Sequence, residues 1–156
     1  MTWLDGTMTC LNGWCLDDAD DGLINNAKMM HGWCQDDAWM IQDGFITEGT
    51  SNNAYIITKD NVLITRNLSN DILAGVTRRS ILRYAKEAQI KIEERPFTID
   101  EAKKAAEAFV SSATTFIGPV VEIDNQKIGD GRPGKQSLRL REIYINESMK
   151  NALHAW

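Results

Sequence analysis

The stretch Gly44-Phe-Ile-Thr-Glu48-Gly-Thr-Ser-Asn52-Asn53 decides how this chain folds. It follows Trp39-Met-Ile-Gln42, and the pair Asp43-Gly44 separates the two short apolar runs. Because this pair favours a two-residue type I′ turn, the pattern predicts a β-hairpin. Glu48 then leaves the second strand beside several small polar residues. The stretch is therefore a candidate cofactor site, although a carboxylate at a strand end is more often a solvated loop residue.

A second segment has the chemistry of a phosphate site. Residues 72–79 read Ile-Leu-Ala-Gly-Val-Thr-Arg-Arg and lead into residues 80–89, where apolar residues recur at helical spacing. A helix that begins near Gly75 would expose free backbone N–H groups and the positive end of its dipole, and Thr77 would add a hydroxyl donor. An ordinary capped helix is the alternative interpretation.

A third segment, residues 109–116, reads Phe-Val-Ser-Ser-Ala-Thr-Thr-Phe. It begins as a buried strand and continues as consecutive small polar residues, so hydroxyl groups and open amides would converge where the strand ends. The alternative is a Ser/Thr-rich strand end that is satisfied by its own turn.

These segments, in this order and at these separations, resemble the C-terminal domain of the pyridoxal-phosphate-dependent class IV aminotransferases, and the D-amino-acid transaminases most of all. The resemblance covers about residues 36–148 and includes a fourth motif at residues 121–134. Each motif is modest alone, but four in register are highly specific. The resemblance implies an α/β (α+β) fold of fold-type IV, with a mixed sheet or pseudo-barrel and helices outside.

The resemblance also implies roles for individual residues at pyridoxal 5′-phosphate. Glu48 would face the pyridine nitrogen and keep it protonated, so that the ring accepts the electron pair left by the substrate Cα–H bond. Val76 and Thr77 would bind the phosphate through their amides, and Thr77 also through its hydroxyl. The full cofactor-binding set is Glu48, Ser51, Asn52, Gly75, Val76, Thr77, Ser112 and Ala113.

The remaining members of this set complete the expected pocket. Ser112 and Ala113 would close it on the side opposite the helix, and Ser51 and Asn52 would lie near the ring. Family members often carry threonine at the position of Ala113, so here only the backbone N–H is left. Residues that bind the substrate carboxylate belong to a smaller N-terminal domain, and full-length members form homodimers that act on amino acids and 2-oxo acids.

The lysine that forms the Schiff base and moves the substrate proton is missing from its expected position. In the family it lies in a segment similar to Asp-Ile-Lys, whereas this chain has Cys15, Leu16 and Asp17 at the corresponding distance. Lys28 is the only lysine before the hairpin, and its spacing fits a second family lysine on the following helix. Lys28 is therefore the catalytic candidate, and we expect that it is not the Schiff-base residue.

Charge is concentrated in the first 40 residues, which hold seven aspartates, one lysine, all three cysteines and four of the five tryptophans. The whole chain carries a net charge of −5, so the remainder is close to neutral. Without a basic stripe or a run of about 20 apolar residues, we expect neither nucleic-acid binding nor a membrane span. An odd cysteine count without a signal peptide indicates a reduced, cytoplasmic chain.

Three cysteines and one histidine raise the alternative of a zinc site: Cys10, Cys15, His31 and Cys34. Their spacings, C-x4-C and H-x2-C, do not match the usual C-x2-C pairs of zinc sites. We therefore predict that the chain binds no metal.

Three regions follow from these observations: an atypical acidic segment at 1–35, a cofactor-binding domain at 36–148 and a tail at 149–156. Residues 1–35 are either disordered or an out-of-frame translation. Codons for His31-Gly-Trp-Cys34, shifted by one base, can spell Met-Ala-Gly-Ala, and such a shift would explain the lost lysine. The upstream DNA tests this: the hypothesis fails if no reading frame encodes an arginine-bearing N-terminal domain and a segment similar to Asp-Ile-Lys.

The rest of the chain predicts a compact α/β domain. Thr98-Ile-Asp-Glu101 is a capping box for a helix that continues to about Ala108, and Gly134 precedes a last amphipathic helix. The further predicted strands are residues 53–58, 62–65, 90–95, 120–123 and 127–128, the first two paired across 59–61 and the last two across 124–126.

The function implied by the resemblance is transamination between D-amino acids, of the D-alanine or D-glutamate type, and 2-oxo acids, in an N-terminally truncated chain. One alternative is another class IV enzyme, a branched-chain aminotransferase or an aminodeoxychorismate lyase. The other is a non-catalytic remnant or dimerising fragment. Without an N-terminal domain the cofactor cleft would lack one wall, which would expose apolar surface.

Overall fold

The structure is a computed structural model that describes residues 8–11, 37–49, 51–69, 72 and 74–153. Its elements, numbered along the chain, are β1 Met8–Leu11, β2 Asp37–Gln42, β3 Phe45–Gly49, β4 Asn53–Ile57, β5 Val62–Thr65, α1 Val76–Glu87, β6 Lys91–Glu94, α2 Ile99–Lys104, β7 Glu107–Ser112, β8 Phe116–Val120, β9 Glu122–Ile123, β10 Gln126–Lys127 and α3 Lys135–Leu153. The strands form two sheets, ordered β10-β9-β1-β2-β3 and β6-β5-β4-β7-β8. The mixed α/β fold expected from the sequence is confirmed.

Two tight turns shape the first sheet. Asp43-Gly44 joins β2 to β3 with φ angles of 54° and 81°, the two positive angles of a type I′ turn, so the predicted hairpin is confirmed. Asp124-Asn125 joins β9 to β10 with φ angles of 48° and 60°. The predicted three-residue loop at this second turn is wrong by one residue, because Gln126 pairs with Ile123 and so belongs to β10.

The second sheet contains the other predicted hairpin. β4 and β5 pair antiparallel, and Asn61 occupies the left-handed region of the turn between them with φ 59°. β5 then pairs with β6 in parallel, and α1 makes the crossover that a parallel pair requires. The strand predicted from the alternation of residues 90–95 is thereby confirmed as β6, at the edge of this sheet.

The helix predicted from the capping box begins as expected but ends early. Thr98 accepts a hydrogen bond from the Glu101 amide at 3.2 Å, and the Glu101 side chain accepts from the Thr98 amide. The predicted continuation to Ala108 is wrong, because α2 ends at Lys104 and Glu107 pairs with Ile57 in the sheet. Long-range pairing with β4, which buries Ala108, decides this boundary against local helix propensity.

The second sheet is covered on both faces. Residues of β4 alternate between two cores: Ala54 and Ile56 face the first sheet, whereas Tyr55 and Ile57 face the helices. Between the sheets, the rings of Trp39 and Phe97 meet edge to face at 6.3 Å. On the helical side, Ile81 of α1 and Leu140 of α3 are fully buried.

The start of α3 is held by a carboxylate from β7. Glu107 accepts hydrogen bonds from the backbone amides of Gln136 and Ser137 at 3.0 and 2.8 Å. These amides belong to the first turn of the helix and have no partner within it, so the carboxylate acts as a long-range cap. A Cβ atom at Gly134 would overlap the Glu107 carboxylate, which is why this approach requires glycine.

Both ends of the described chain extend past the core predicted from sequence. Residues 8–11 of the atypical acidic segment form β1, which pairs antiparallel with β2 and with β9. The other residues of the segment up to 35 lie outside the described residues. At the opposite end α3 continues past residue 148 to Leu153. No helix in the described part of the chain is long and apolar enough to cross a bilayer.

Candidate functional site

The N-terminus of helix α1 has neither a side-chain cap nor an acidic residue. Its N-cap is Gly75, which offers no side-chain cap, and its first turn carries no acidic residue. The first backbone bond of the helix runs from the Arg79 amide to the Gly75 carbonyl at 3.2 Å, so the amides of the three residues before Arg79 precede the helical ladder. Thr77 is buried, while Val76 is 76% exposed. The amides that precede the helical ladder and the positive end of the helix dipole therefore lie together, and no acidic residue in the first turn neutralises them.

Asn53 contacts the other two predicted segments, the one at the start of α1 and the one at the end of β7. It is the first residue of β4, only 6% exposed, and it pairs in register with Ser111 near the end of β7. A Cβ atom at Gly75 would lie 3.2 Å from the Asn53 Oδ1 atom, so the N-cap of α1 rests directly against this side chain. The start of α1, the start of β4 and the end of β7 therefore share one location.

Glu48 lies on β3 of the first sheet, the strand that precedes the start of β4 along the chain. It lies half buried on β3, beside Gly49, and the Gly49 amide donates to the Asn52 carbonyl at 2.8 Å. This bond closes a tight loop that returns the chain to Asn53. Ser51 is exposed and Asn52 is half buried in that loop.

The turn between β7 and β8 carries Ser112 and Ala113. Ser112 pairs with Phe116 across the hairpin, and its hydroxyl accepts from the Thr115 amide at 3.0 Å. Ala113 is exposed. Phe116 has φ 60°, an uncommon angle for a bulky residue and one that is often maintained at functional turns.

Arg141 of α3 holds the turn between β7 and β8 through hydrogen bonds to its backbone carbonyls. Its Nη1 atom donates to the carbonyl of Thr115 at 3.0 Å and also to the carbonyl of Ile117. The ring of Phe116 packs at 5.5 Å from that of Tyr144 on the same helix. The turn is therefore held in one shape by α3, and the Ser112 hydroxyl is also within hydrogen-bonding distance of the Thr114 hydroxyl, at 3.3 Å.

Two buried groups that the sequence did not single out support the site. Arg78, 4% exposed, donates to the carbonyl of Arg66 at 2.9 Å and to the carboxylate of Glu94 at 2.7 Å. Behind β4, the Tyr55 and Ser111 hydroxyls are hydrogen-bonded at 2.9 Å. Burial raises the pKa of Tyr55 above its usual range, so this phenol stays neutral.

Asn53 and Arg78 are the site residues that sequence reasoning missed. Both stand inside the quoted motifs, but neither shows a local pattern that separates it from an ordinary polar surface residue. Only the pairing of β4 with β7 and the approach of α1 reveal that they are buried. Lys28 lies outside the described residues, as do Cys15, His31 and Cys34.

Among the described residues, no group of three or more His, Cys, Asp or Glu side chains is arranged to hold a metal ion.

Comparisons with known proteins connect this geometry to one family. A sequence model of the amino-transferase class IV family matches residues 26–123. The chain is 43% identical over 109 residues to a D-alanine aminotransferase of Bacillus licheniformis, covering 70% of this chain and 38% of that protein. It is 38% identical over 104 residues to a probable branched-chain-amino-acid aminotransferase of Aquifex aeolicus, covering 66% of this chain and 33% of that protein.

Solved structures agree with the sequence relatives. The branched-chain amino acid aminotransferase from Thermobaculum terrenum, in its PLP-form, superposes with a TM-score of 0.66 and 32% identity, over 70% of this chain and 36% of that one. The expected fold-type IV architecture is thereby confirmed. The chain spans less than two fifths of the length of these relatives. With the family model matched over most of its length, this chain belongs to the pyridoxal-phosphate-dependent class IV aminotransferases.

Proposed function

We propose that this chain is the cofactor-binding part of an aminotransferase that moves an amino group between D-amino acids and 2-oxo acids. The observation that carries the proposal is the convergence of three cofactor segments at Asn53, with the N-cap of α1 against its side chain. Similarity to D-alanine aminotransferases, 43% identical in one case, supports the D-amino-acid specificity.

The residues present fit the cofactor phosphate. A phosphate dianion needs several N–H or O–H donors, and the first turn of α1 offers backbone amides and carries no acidic residue. The Glu94 carboxylate that contacts this turn is paired with Arg78. Val76 and Thr77 would donate their amides and Thr77 its hydroxyl. Ser112 and Ala113 would contribute from the turn after β7, whose shape Arg141 maintains. These backbone amides and hydroxyl groups would bind and orient the anion.

Glu48 would hold the other end of the cofactor. A carboxylate on β3 beside the pyridine nitrogen would keep a proton on that nitrogen, because the ion pair favours the charged form of both partners. When bound, the cofactor accepts the electron pair released at the substrate Cα atom. Ser51 and Asn52, in the loop closed by the Gly49 amide, would lie beside the ring.

The proton at the substrate Cα atom needs a base within hydrogen-bonding reach. The family uses a lysine for this step, and the matching positions of this chain are Cys15, Leu16 and Asp17. We therefore propose that the chain alone binds the cofactor without completing the reaction, and that Lys28 is not the base. The homodimer and the cytoplasmic location expected from sequence are part of the same proposal.

A second specificity has its own support. A probable branched-chain-amino-acid aminotransferase is 38% identical to this chain, and the superposed structure is a branched-chain enzyme. A substrate panel on a longer protein with a lysine-bearing N-terminal domain separates the two. Half-reaction with D-alanine supports the first proposal, and turnover of branched-chain L-amino acids alone contradicts it.

Calorimetric titration of this chain with pyridoxamine 5′-phosphate tests cofactor binding without requiring a Schiff base. We expect saturable binding that inorganic phosphate competes away. The variant Thr77→Val should weaken binding about tenfold or more, since a hydrogen bond to a charged group contributes about 1.5–3 kcal/mol. Ser80→Ala on the next turn of α1 is the control and should bind normally. Absence of binding by the unaltered chain would contradict the proposal.

A further inference from the structure

We propose that Asn53 is the positioning residue of the phosphate site: it sets the separation between the N-terminus of α1 and the turn after β7. The inference rests on the proposed function, since it concerns the site where the cofactor phosphate would bind. It adds a residue outside the cofactor-binding set expected from the sequence, one that acts through Gly75 and Ser111 and not by touching the cofactor.

The position of Asn53 in the sheet is the first argument. Its backbone pairs with that of Ser111, the residue immediately before Ser112. Any shift of β4 along β7 would therefore move Asn53 relative to the turn that carries Ser112 and Ala113. The hydroxyl of Ser111 is itself bonded to the buried Tyr55 hydroxyl, so this end of β7 is anchored on its inner side as well.

The contact with Gly75 is the second argument. A Cβ atom there would come within 3.2 Å of the Asn53 Oδ1 atom, closer than ordinary van der Waals contact. Gly75 has an extended backbone with φ −62° and ψ 145°, which any residue adopts. Its lack of a side chain therefore serves the close approach to Asn53 and not the backbone angle. The N-terminus of α1 therefore packs directly against the side-chain amide of Asn53.

The chemistry of the amide is the third argument. Asn53 is 6% exposed, and a buried amide is retained where its hydrogen bonds are satisfied by the fold. An uncharged side chain at this place leaves the helix start free to take a phosphate. An aspartate of the same shape would carry a negative charge to the positive end of the helix, which opposes the binding of a second anion.

This contrast gives a test that separates positioning from stability. Asn53→Asp keeps the shape of the side chain but buries a carboxylate, which costs stability, so affinities are compared only at conditions where urea unfolding shows both proteins fully folded. The affinity of this variant for pyridoxamine 5′-phosphate and for inorganic phosphate should fall about tenfold or more through like-charge repulsion. Asn61→Asp is the matched control: it makes the same chemical change in the exposed turn at the far end of β4 and should leave both affinities unchanged.

A second readout needs no ligand. Asn53→Ala removes the side chain against which the start of α1 packs. Hydrogen exchange of the Arg79 amide, which donates to the Gly75 carbonyl at 3.2 Å, should then accelerate about tenfold or more, while exchange at Ile81 stays within about twofold once global stability is matched. Gly75→Ala should accelerate exchange of the same amide, because its Cβ atom would press against the Asn53 Oδ1 atom.

The outcomes separate the two proposals. If the unaltered chain binds phosphate ligands but Asn53→Asp binds them equally well, the positioning role is wrong and the proposed function stands. If the unaltered chain binds no phosphate ligand, the proposed function is wrong, and hydrogen exchange decides the positioning role. Unchanged exchange of the Arg79 amide in Asn53→Ala overturns that role, whether or not ligand binds.

Discussion

The Nη2 atom of Arg78 donates to the Oε2 atom of Glu94 at 2.7 Å, and this ion pair ties the first turn of α1 to the edge strand β6. The Arg78 side chain is 5% exposed and that of Glu94 is 46% exposed. The guanidinium is thus a buried charge whose counter-ion stands at the protein surface. It also donates to the carbonyl of Arg66, so α1 is fixed to the end of β5 as well.

Removing the carboxylate should be costly because it leaves a buried charge without its partner. We expect Glu94→Ala to lower the free energy of unfolding by about 2 kcal/mol, less than for a fully buried pair because solvent reaches Glu94. Glu147→Ala, which breaks the exposed pair with Lys150, should cost less than about 0.5 kcal/mol. Urea unfolding at neutral pH measures both, and equal costs would contradict this account of Arg78.

The capping box makes stability depend on pH. Arg95 donates to Glu101 at 2.6 Å, and this hydrogen bond holds the pKa of the Glu101 carboxyl below its usual value of 4.5. A carboxyl with a lowered pKa in the folded state stabilises the protein above its unfolded pKa, and the contribution is lost as pH falls through the folded pKa. Stability should therefore decline from about pH 4.5 downward.

Glu101→Gln isolates this effect, since glutamine can still serve in the capping box. The decline in unfolding free energy between about pH 5 and 3 should become shallower in this variant than in the unaltered chain. Glu142→Gln, an exposed position on α3, is the control and should leave the slope as it was. A slope unchanged by Glu101→Gln would show that the Arg95 contact contributes nothing to acid stability.

The end of α1 offers a stabilising substitution. Gln89 has φ 59°, and the amides of Gln89 and Ile90 donate to the carbonyls of Lys86 and Ala85, which is the Schellman arrangement. Glycine adopts this left-handed angle without steric cost, so Gln89→Gly should raise the unfolding free energy by about 0.5–1 kcal/mol. Gln89→Ala should not raise the unfolding free energy, because alanine does not favour the left-handed angle. Thermal unfolding of both variants checks this, and a loss of stability in Gln89→Gly would argue against a left-handed cap.

The carboxylate cap of α3 is open to a paired test. Glu107→Ala leaves the amides of Gln136 and Ser137 without their acceptor and should cost about 1–2 kcal/mol. Gly134→Ala should destabilise the chain too, because its Cβ atom would overlap the Glu107 carboxylate. In the double variant the Gly134→Ala penalty should shrink, since the obstructing group is gone. Additive costs in urea unfolding would show that the two residues do not interact.

Local chemistry made part of this fold predictable. The type I′ turn at Asp43-Gly44 and the capping box at Thr98 depend on residues within four positions, so sequence alone identified them. The end of α2 could not be predicted in this way, because no residue between Ala105 and Ala108 interrupts a helix. Pairing of Glu107 with Ile57, fifty positions away, decides that boundary.

The candidate site also combines features that depend on neighbouring residues with features that depend on distant segments. The prediction that Gly75-Val76-Thr77 binds an anion could be made from sequence, since a glycine before a helix leaves backbone amides without a side-chain cap. The burial of Asn53 does not, because it arises where β4, β7 and α1 meet. Lys28 lies outside the described residues, so its exclusion as the base stays a prediction. Convergence of distant segments is therefore what the structure adds.

A crystal structure of this chain with pyridoxamine 5′-phosphate tests the central claim most directly. The account predicts the phosphate against the amides of Val76 and Thr77, with the Glu48 carboxylate within hydrogen-bonding distance of the pyridine nitrogen. A ligand bound at another surface, or a phosphate seated at α1 with Glu48 turned away from the ring, would contradict it.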